Sequence, residues 1–168
     1  MKSKFVVAQP WLGLFARLIL GGVLFIAGYL KVGATDKSQM AVRAYEMLPI
    51  SVANLFGLLL PFFEVAIGAL LILGALTRVV AILGGITMFA FIIAISQAWV
   101  RGLNIDCGCF GGGGAVAPGD TRYLQEILRD AGLVFLALYL IRYPVTKFAL
   151  DKNPTPSGAE TGARGDVE

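Results

Sequence analysis

The chain has 168 residues, of which 57% are hydrophobic and only 15% charged, and its mean hydropathy is +0.78. That balance excludes an ordinary soluble domain and indicates a small integral membrane protein. The net charge of +3 is too mild to call for a nucleic-acid partner, and basic residues near helix ends are explained by lipid headgroups or topology.

Met1-Lys2-Ser3-Lys4 precedes an apolar stretch much as in a secretory signal, and Val32-Gly33-Ala34 offers small residues for cleavage. The apolar run, about Trp11 to Leu30, is longer than the roughly 7–15 residues of a signal core. It is expected to be a retained anchor and the first membrane span. A second span follows at about Val52 to Leu73, a third at about Val79 to Val100 and a fourth at about Leu124 to Tyr143. Each approaches or exceeds the roughly 20 residues needed to cross a bilayer core. In lipid the backbone must satisfy its own hydrogen bonds, so each run should be helical. Trp11, Tyr29, Trp99, Tyr123 and Tyr143 fall near the ends of the runs, where interfacial aromatics belong.

Two charges interrupt these spans. Gly13, Arg17, Gly21 and Gly28 share one face of the first helix, and Gly57, Pro61, Glu64 and Gly68 one face of the second. Small residues let helix backbones approach closely. The two faces are therefore expected to meet, with Arg17 and Glu64 paired across them. Such a pair either fixes helix register or carries proton or quinone chemistry, and the residues alone leave both readings open.

Between the third and fourth spans lies Asp106-Cys107-Gly108-Cys109-Phe110-Gly111, which holds the only two cysteines of a chain that contains no histidine. Zinc needs about four N or S ligands, and acyl-transfer chemistry at cysteine needs a nearby base, usually histidine. Two cysteines unaided can cycle between dithiol and disulfide. A bridge across one residue requires a turned backbone, which Gly108 can supply, and a ring so small is expected to be strained and oxidising. Inert packing is the alternative, as is a soft ion such as Cu(I), but no metal site is expected. Glu126, Arg129 and Asp130 open the fourth span. With Asp106 they would form a charge cluster level with Lys31 and the cysteine loop, able to tune a thiol or receive a proton, or simply a solvated helix end.

The expected fold is all-α: residues 1–150 form a four-helix integral membrane bundle with the Cys-Gly-Cys loop between spans three and four. Residues 151–168 form a disordered polar tail, in which Arg164-Gly165-Asp166 matches an adhesion motif by chance. Four spans place both termini on one side. Lys2, Lys4, Arg78, Arg142, Lys147 and Lys152 would share that side, and Lys31, Lys37, Arg43, Arg101 and Arg122 the other. The positive-inside rule then favours cytoplasmic termini, and the persistence of disulfides outside the cytosol places the cysteine loop there.

The cysteine hexapeptide resembles the hallmark of the MauE branch of the DoxX-like membrane proteins. Arg17, Gly21, Phe25, Gly28 and Lys31 in the first span match as well, as do Pro61, Glu64, Gly68, Gly74 and Arg78 around the second and Arg129-Asp130 in the fourth. The resemblance runs from about Trp11 to Tyr143. It implies a four-helix protein of a bacterial inner membrane, linked to extracytoplasmic redox and to methylamine utilisation. There, MauE-type proteins work beside a thioredoxin-like partner to mature the disulfide-rich small subunit of methylamine dehydrogenase.

Two functions are consistent with these features. In one, Cys107 and Cys109 form a membrane thiol–disulfide oxidoreductase that exchanges with a periplasmic thioredoxin-fold protein and passes electrons to or from a carrier such as quinone, with Arg17 and Glu64 as candidates to hold it. In the other, the Cys-Gly-Cys bridge shapes a docking loop on a non-catalytic subunit or assembly factor of a larger membrane complex.

Overall fold

The computed structural model describes residues 2–150, so the polar segment 151–168 lies outside the described residues. Five helices follow one another: α1 (Lys2–Val32), α2 (Thr35–Ala44), α3 (Ile50–Leu73), α4 (Thr77–Val100) and α5 (Tyr123–Arg142). Two short strands, β1 (Ile105–Asp106) and β2 (Gly114–Ala115), lie between α4 and α5.

Among the described residues, three helical stretches are long and apolar enough to cross a membrane: Gln9–Val32, Ile50–Leu73 and Thr77–Val100. Their outward faces carry Phe15, Ile19, Phe63, Ile86 and Phe89, all exposed, an apolar exterior suited to lipid rather than water. At 20 residues, α5 is long enough by rise alone. Glu126, Arg129 and Asp130 in its first turns lower its apolar character.

Helix α1 packs mainly on α3, and α4 on α5. The α1–α3 contact depends on glycine. A Cβ on Gly68 would lie 2.5 Å from the Phe25 backbone nitrogen, and one on Gly28 would lie 2.7 Å from the Pro61 carbonyl oxygen. The tight α3–α4 turn is closed by Gly74 at φ 69°, whose N–H and that of Ala75 return to the carbonyls of Leu71 and Leu70, a helix-ending pattern that needs the left-handed conformation. Leu20, Leu24, Ile67, Leu71, Leu133 and Leu140 fill the centre.

Helix α2 was not anticipated from the sequence. It is ten residues long and polar on average, with Asp36 in its first turn and Arg43 in its last, both placed to favour the helix dipole. It lies across α3, where Gly57 admits the Gln39 backbone. Such a helix has too little apolar length to register as a span, so hydropathy reading passes over it.

The α1–α3 packing gives a direct expectation. Gly68→Val should destabilise the protein by about 1–3 kcal/mol, the usual effect of overpacking. Gly22→Val should be near neutral, because nothing lies within 4 Å of a Cβ there. Thermal unfolding of both variants in detergent checks the contrast.

Candidate functional site

The cysteine loop is a small antiparallel hairpin in which Ile105 pairs with Ala115 and Asp106 with Gly114. Its tip reverses through glycines at positive φ, including Gly108 at 70° and Gly113 at 128°. A side chain on either would collide with Ala41 of α2. The tip therefore lies flat on the short helix, and only glycine permits that approach.

Two tyrosines hold the loop backbone. The Tyr45 hydroxyl donates to the Cys107 carbonyl at 3.0 Å, while the Tyr45 carbonyl accepts from Gln97 Nε2 and Arg101 Nη1 of the α4 end. The Tyr123 hydroxyl accepts from the Ile105 N–H at 3.1 Å and donates to the Leu103 carbonyl. Within the tip, Gly108 N–H donates to Asp106 Oδ1 at 3.1 Å and Cys109 N–H to Cys107 Sγ at 3.2 Å.

Both cysteines are free thiols, and both are buried, at 8% and 5% exposure. They face different neighbours. Cys107 lies beside the Glu126 carboxylate: its sulfur, a Glu126 oxygen and an Asp106 oxygen all lie within 4.8 Å of one another. That triad is one ligand short of a tetrahedral metal centre and mixes one thiolate with two hard carboxylates. Its geometry fits a hydrogen-bonded thiol better than a metal ion. Cys109 instead meets Arg129, whose guanidinium interacts with its sulfur, donates to Asp130 Oδ1 at 2.8 Å and covers the Phe110 ring at 5.0 Å.

This asymmetry separates the thiols electrostatically. A hydrogen bond with Cys109 pushes the Cys107 thiol well above the ordinary cysteine range, reinforced by burial and by the electrostatic influence of the neighbouring sulfur. Burial and the same two sulfurs hold the Tyr45 phenol protonated.

Beneath the loop sits a second ion pair. Lys31 Nζ at the end of α1 lies 2.6 Å from Glu64 Oε2 and 2.7 Å from Oε1, with the residues 3% and 0% exposed. The ammonium also faces the Phe91 ring at 5.5 Å. Between this pair and the loop is a cavity with about 10 Å³ of free space, lined by Glu64, Cys109, Arg129 and Asp130 among others. It has room for about one water molecule and none for a quinone ring.

The expected Arg17–Glu64 pair is not formed. Arg17 donates to Thr146 Oγ1 at 2.9 Å and reaches the carbonyls of Lys147 and Phe148. Its guanidinium passes against Gly74 at the opposite end of α3. The cause is helix register. In the antiparallel α1–α3 pair, Gly28 faces Pro61 and Val65, and Gly21 faces Leu71, so Glu64 lies opposite the last turn of α1, which carries Lys31. Aligning the apolar runs by their ends shifts that register by several residues. Arg17 and Glu64 therefore serve opposite ends of the α1–α3 pair. Of the expected charge cluster, Asp106 attends Cys107 while Arg129 and Asp130 attend Cys109.

Sequence reading missed Tyr45 and the role of Lys31, and it left Glu126 as a local helix partner. The signal for Lys31 was present in the glycines that set register; that for Tyr45 was not, because α2 itself was unread.

A helical, membrane-type protein with a clamped dithiol loop over buried ion pairs is thus defined by its fold and site. The chain belongs to the MauE family: residues 9–143 match the family described as Methylamine utilisation protein MauE. Among named relatives, Methylamine utilization protein MauE of Methylorubrum extorquens is 34% identical over 175 aligned positions, covering 95% of this chain and 94% of the relative. The protein of that name from Methylophilus methylotrophus is 27% identical, covering 83% and 73%. No solved structure matches the chain.

The revised pairing has a measurable consequence. Glu64→Gln or Lys31→Met strands a buried charge or polar group and should each destabilise the protein by about 3–5 kcal/mol, with Lys31→Met/Glu64→Leu recovering most of the loss. Losses from Arg17→Ala and Glu64→Gln should instead add to within about 0.5 kcal/mol, as for sites that share no partner. Thermal unfolding of the set in detergent measures both couplings.

Proposed function

We propose that this protein is a four-span thiol–disulfide exchange protein of a bacterial inner membrane. It serves a methylamine-utilisation type system and works with a periplasmic thioredoxin-fold partner in the maturation of exported proteins. The observation that carries this reading is the Cys107–Cys109 dithiol, with a carboxylate on the first sulfur and a guanidinium on the second. Such an arrangement distinguishes an attacking thiol from a resolving one.

In this reading α5 is the fourth crossing. Leu124, Leu128, Phe135 and Leu138 face outwards while Asp130 is buried, as expected when charged residues in a span face the bundle interior. Four crossings put the termini in the cytoplasm and the cysteine loop outside it, where disulfide chemistry persists.

The exchange balances as follows. Cys109, as thiolate, attacks one sulfur of the partner's disulfide, forming a mixed disulfide and releasing one partner thiol. Cys107 then loses its proton to Glu126 and attacks Cys109, closing the Cys107–Cys109 bridge and releasing the second partner thiol. Two electrons pass to the partner, and the two thiol protons end on its sulfurs. The reverse sequence delivers a disulfide. A quinone carrier, if the pathway uses one, would meet the protein at its lipid face, since the cavity beside Cys109 admits only about one water.

A second reading is favoured by the burial of both sulfurs: a non-catalytic subunit whose loop docks on a larger membrane complex. Trapping separates the two. With Cys107→Ser, Cys109 should accumulate a mixed disulfide with a thioredoxin-fold protein in cells, while Cys109→Ser should trap far less. Full activity of the double-cysteine variant in cells would exclude exchange and favour docking. An impermeant maleimide should label the reduced loop in intact cells, and labelling only after permeabilisation would reverse the topology.

A further inference from the structure

Asp130 is 1% exposed. Arg129 occupies its Oδ1, but among the described residues its Oδ2 has no hydrogen-bond partner. A buried carboxylate oxygen rarely stays unpaired, and ordered water is the usual partner. The cavity it lines has room for about one water and is shared with Cys109 and Glu64. We infer that Asp130, through a water in this cavity, is the proton acceptor for the Cys109 thiol, and that the Lys31–Glu64 pair holds that water from below.

The inference rests on the thiol-exchange reading and assigns it a proton route. The Cys109 S–H proton passes to the water while the water passes one to Asp130 Oδ2, leaving a thiolate beside Arg129. After the partner disulfide is cleaved, the proton returns by the same water to the released partner thiolate. No oxidant beyond that disulfide is required. The charged and titratable groups facing Asp130 are Arg129 and Glu126 of α5, Lys31 of α1, Glu64 of α3 and Cys109 of the loop. Of the α4 residues lining the cavity, Met88 and Phe91 carry no charge. Cys109 is 5% exposed, and a thiol buried to that degree needs a base close at hand.

The sign of the effect distinguishes a proton acceptor from a mere charge. A carboxylate acting only as a negative charge disfavours the neighbouring thiolate, so its removal would speed exchange. Full-length reduced protein in detergent is mixed with oxidised glutathione and quenched with acid, over a range of pH. Asp130→Asn should slow the reaction near neutral pH by on the order of 100-fold, the usual contribution of a positioned base. The deficit should close at strongly alkaline pH, where hydroxide ionises the thiol directly, and Asp130→Glu should restore most of the rate. Ala27→Val, which narrows the same cavity while leaving both carboxylates in place, should slow exchange similarly and serves if the Asn variant fails to fold. Unchanged or faster exchange in Asp130→Asn or Ala27→Val would overturn the proton route and leave the exchange reading standing. Failure of the wild type to react with oxidised glutathione, together with no trapped partner in cells, would remove both.

Discussion

Lys31 and Glu64 meet at 2.6 Å with almost no exposure, and much of the bundle is arranged to allow that contact. Neither group would be tolerated alone at such depth, because an isolated buried charge forgoes hydration worth several kcal/mol. Their meeting requires α1 and α3 to approach closely and in one register, and the glycines at 21, 28 and 68 provide both. The same register carries Arg17 to the far end of α3, where it binds the segment after α5 through Thr146, Lys147 and Phe148. The two ends of the helix pair are therefore each secured by a buried cation with its own oxygen acceptors.

The pair also forms the floor of the cysteine site. Above it, α5 contributes Glu126, Arg129 and Asp130, three residues within little more than one helical turn. The hairpin turns Cys107 towards the first and Cys109 towards the second. Two chemically identical thiols one residue apart acquire different environments because they are presented to different parts of one helix face. That difference is what a directional exchange reaction needs, as it decides which sulfur attacks and which resolves. It costs the protein a rigid, glycine-dependent loop pressed on Ala41 and fastened by Tyr45 and Tyr123.

Burial of the thiols is consistent with this chemistry. A sulfur enclosed in the free protein is shielded from adventitious oxidants, and at the loop tip it is Phe110, under the Arg129 guanidinium, that is exposed. The loop packs in its own apolar cluster, in which Ile105, Cys107 and Cys109 meet Tyr45, Ile95, Ala98 and Tyr123, apart from the leucine-rich centre.

The sequence by itself determined the membrane class, three apolar helices, the placement of the dithiol in a glycine loop and the family, all visible in composition, run length and one short motif. Hydropathy responds to long apolar runs, so it found the three long apolar helices and passed over α2, whose ten residues are polar on average and pack on α3 and the hairpin. Periodicity correctly put Arg17 and Glu64 on glycine-lined faces that meet. It could not say which residues on those faces are level, because depth depends on the register of two antiparallel helices, and that is decided by contacts between residues more than thirty positions apart, such as Gly28 with Pro61 and Val65. Only the tertiary structure paired Glu64 with Lys31, gave each cysteine its own neighbour on α5 and left one oxygen of Asp130 facing a space the size of a water molecule. These are choices among chemically equivalent partners, and packing geometry makes them.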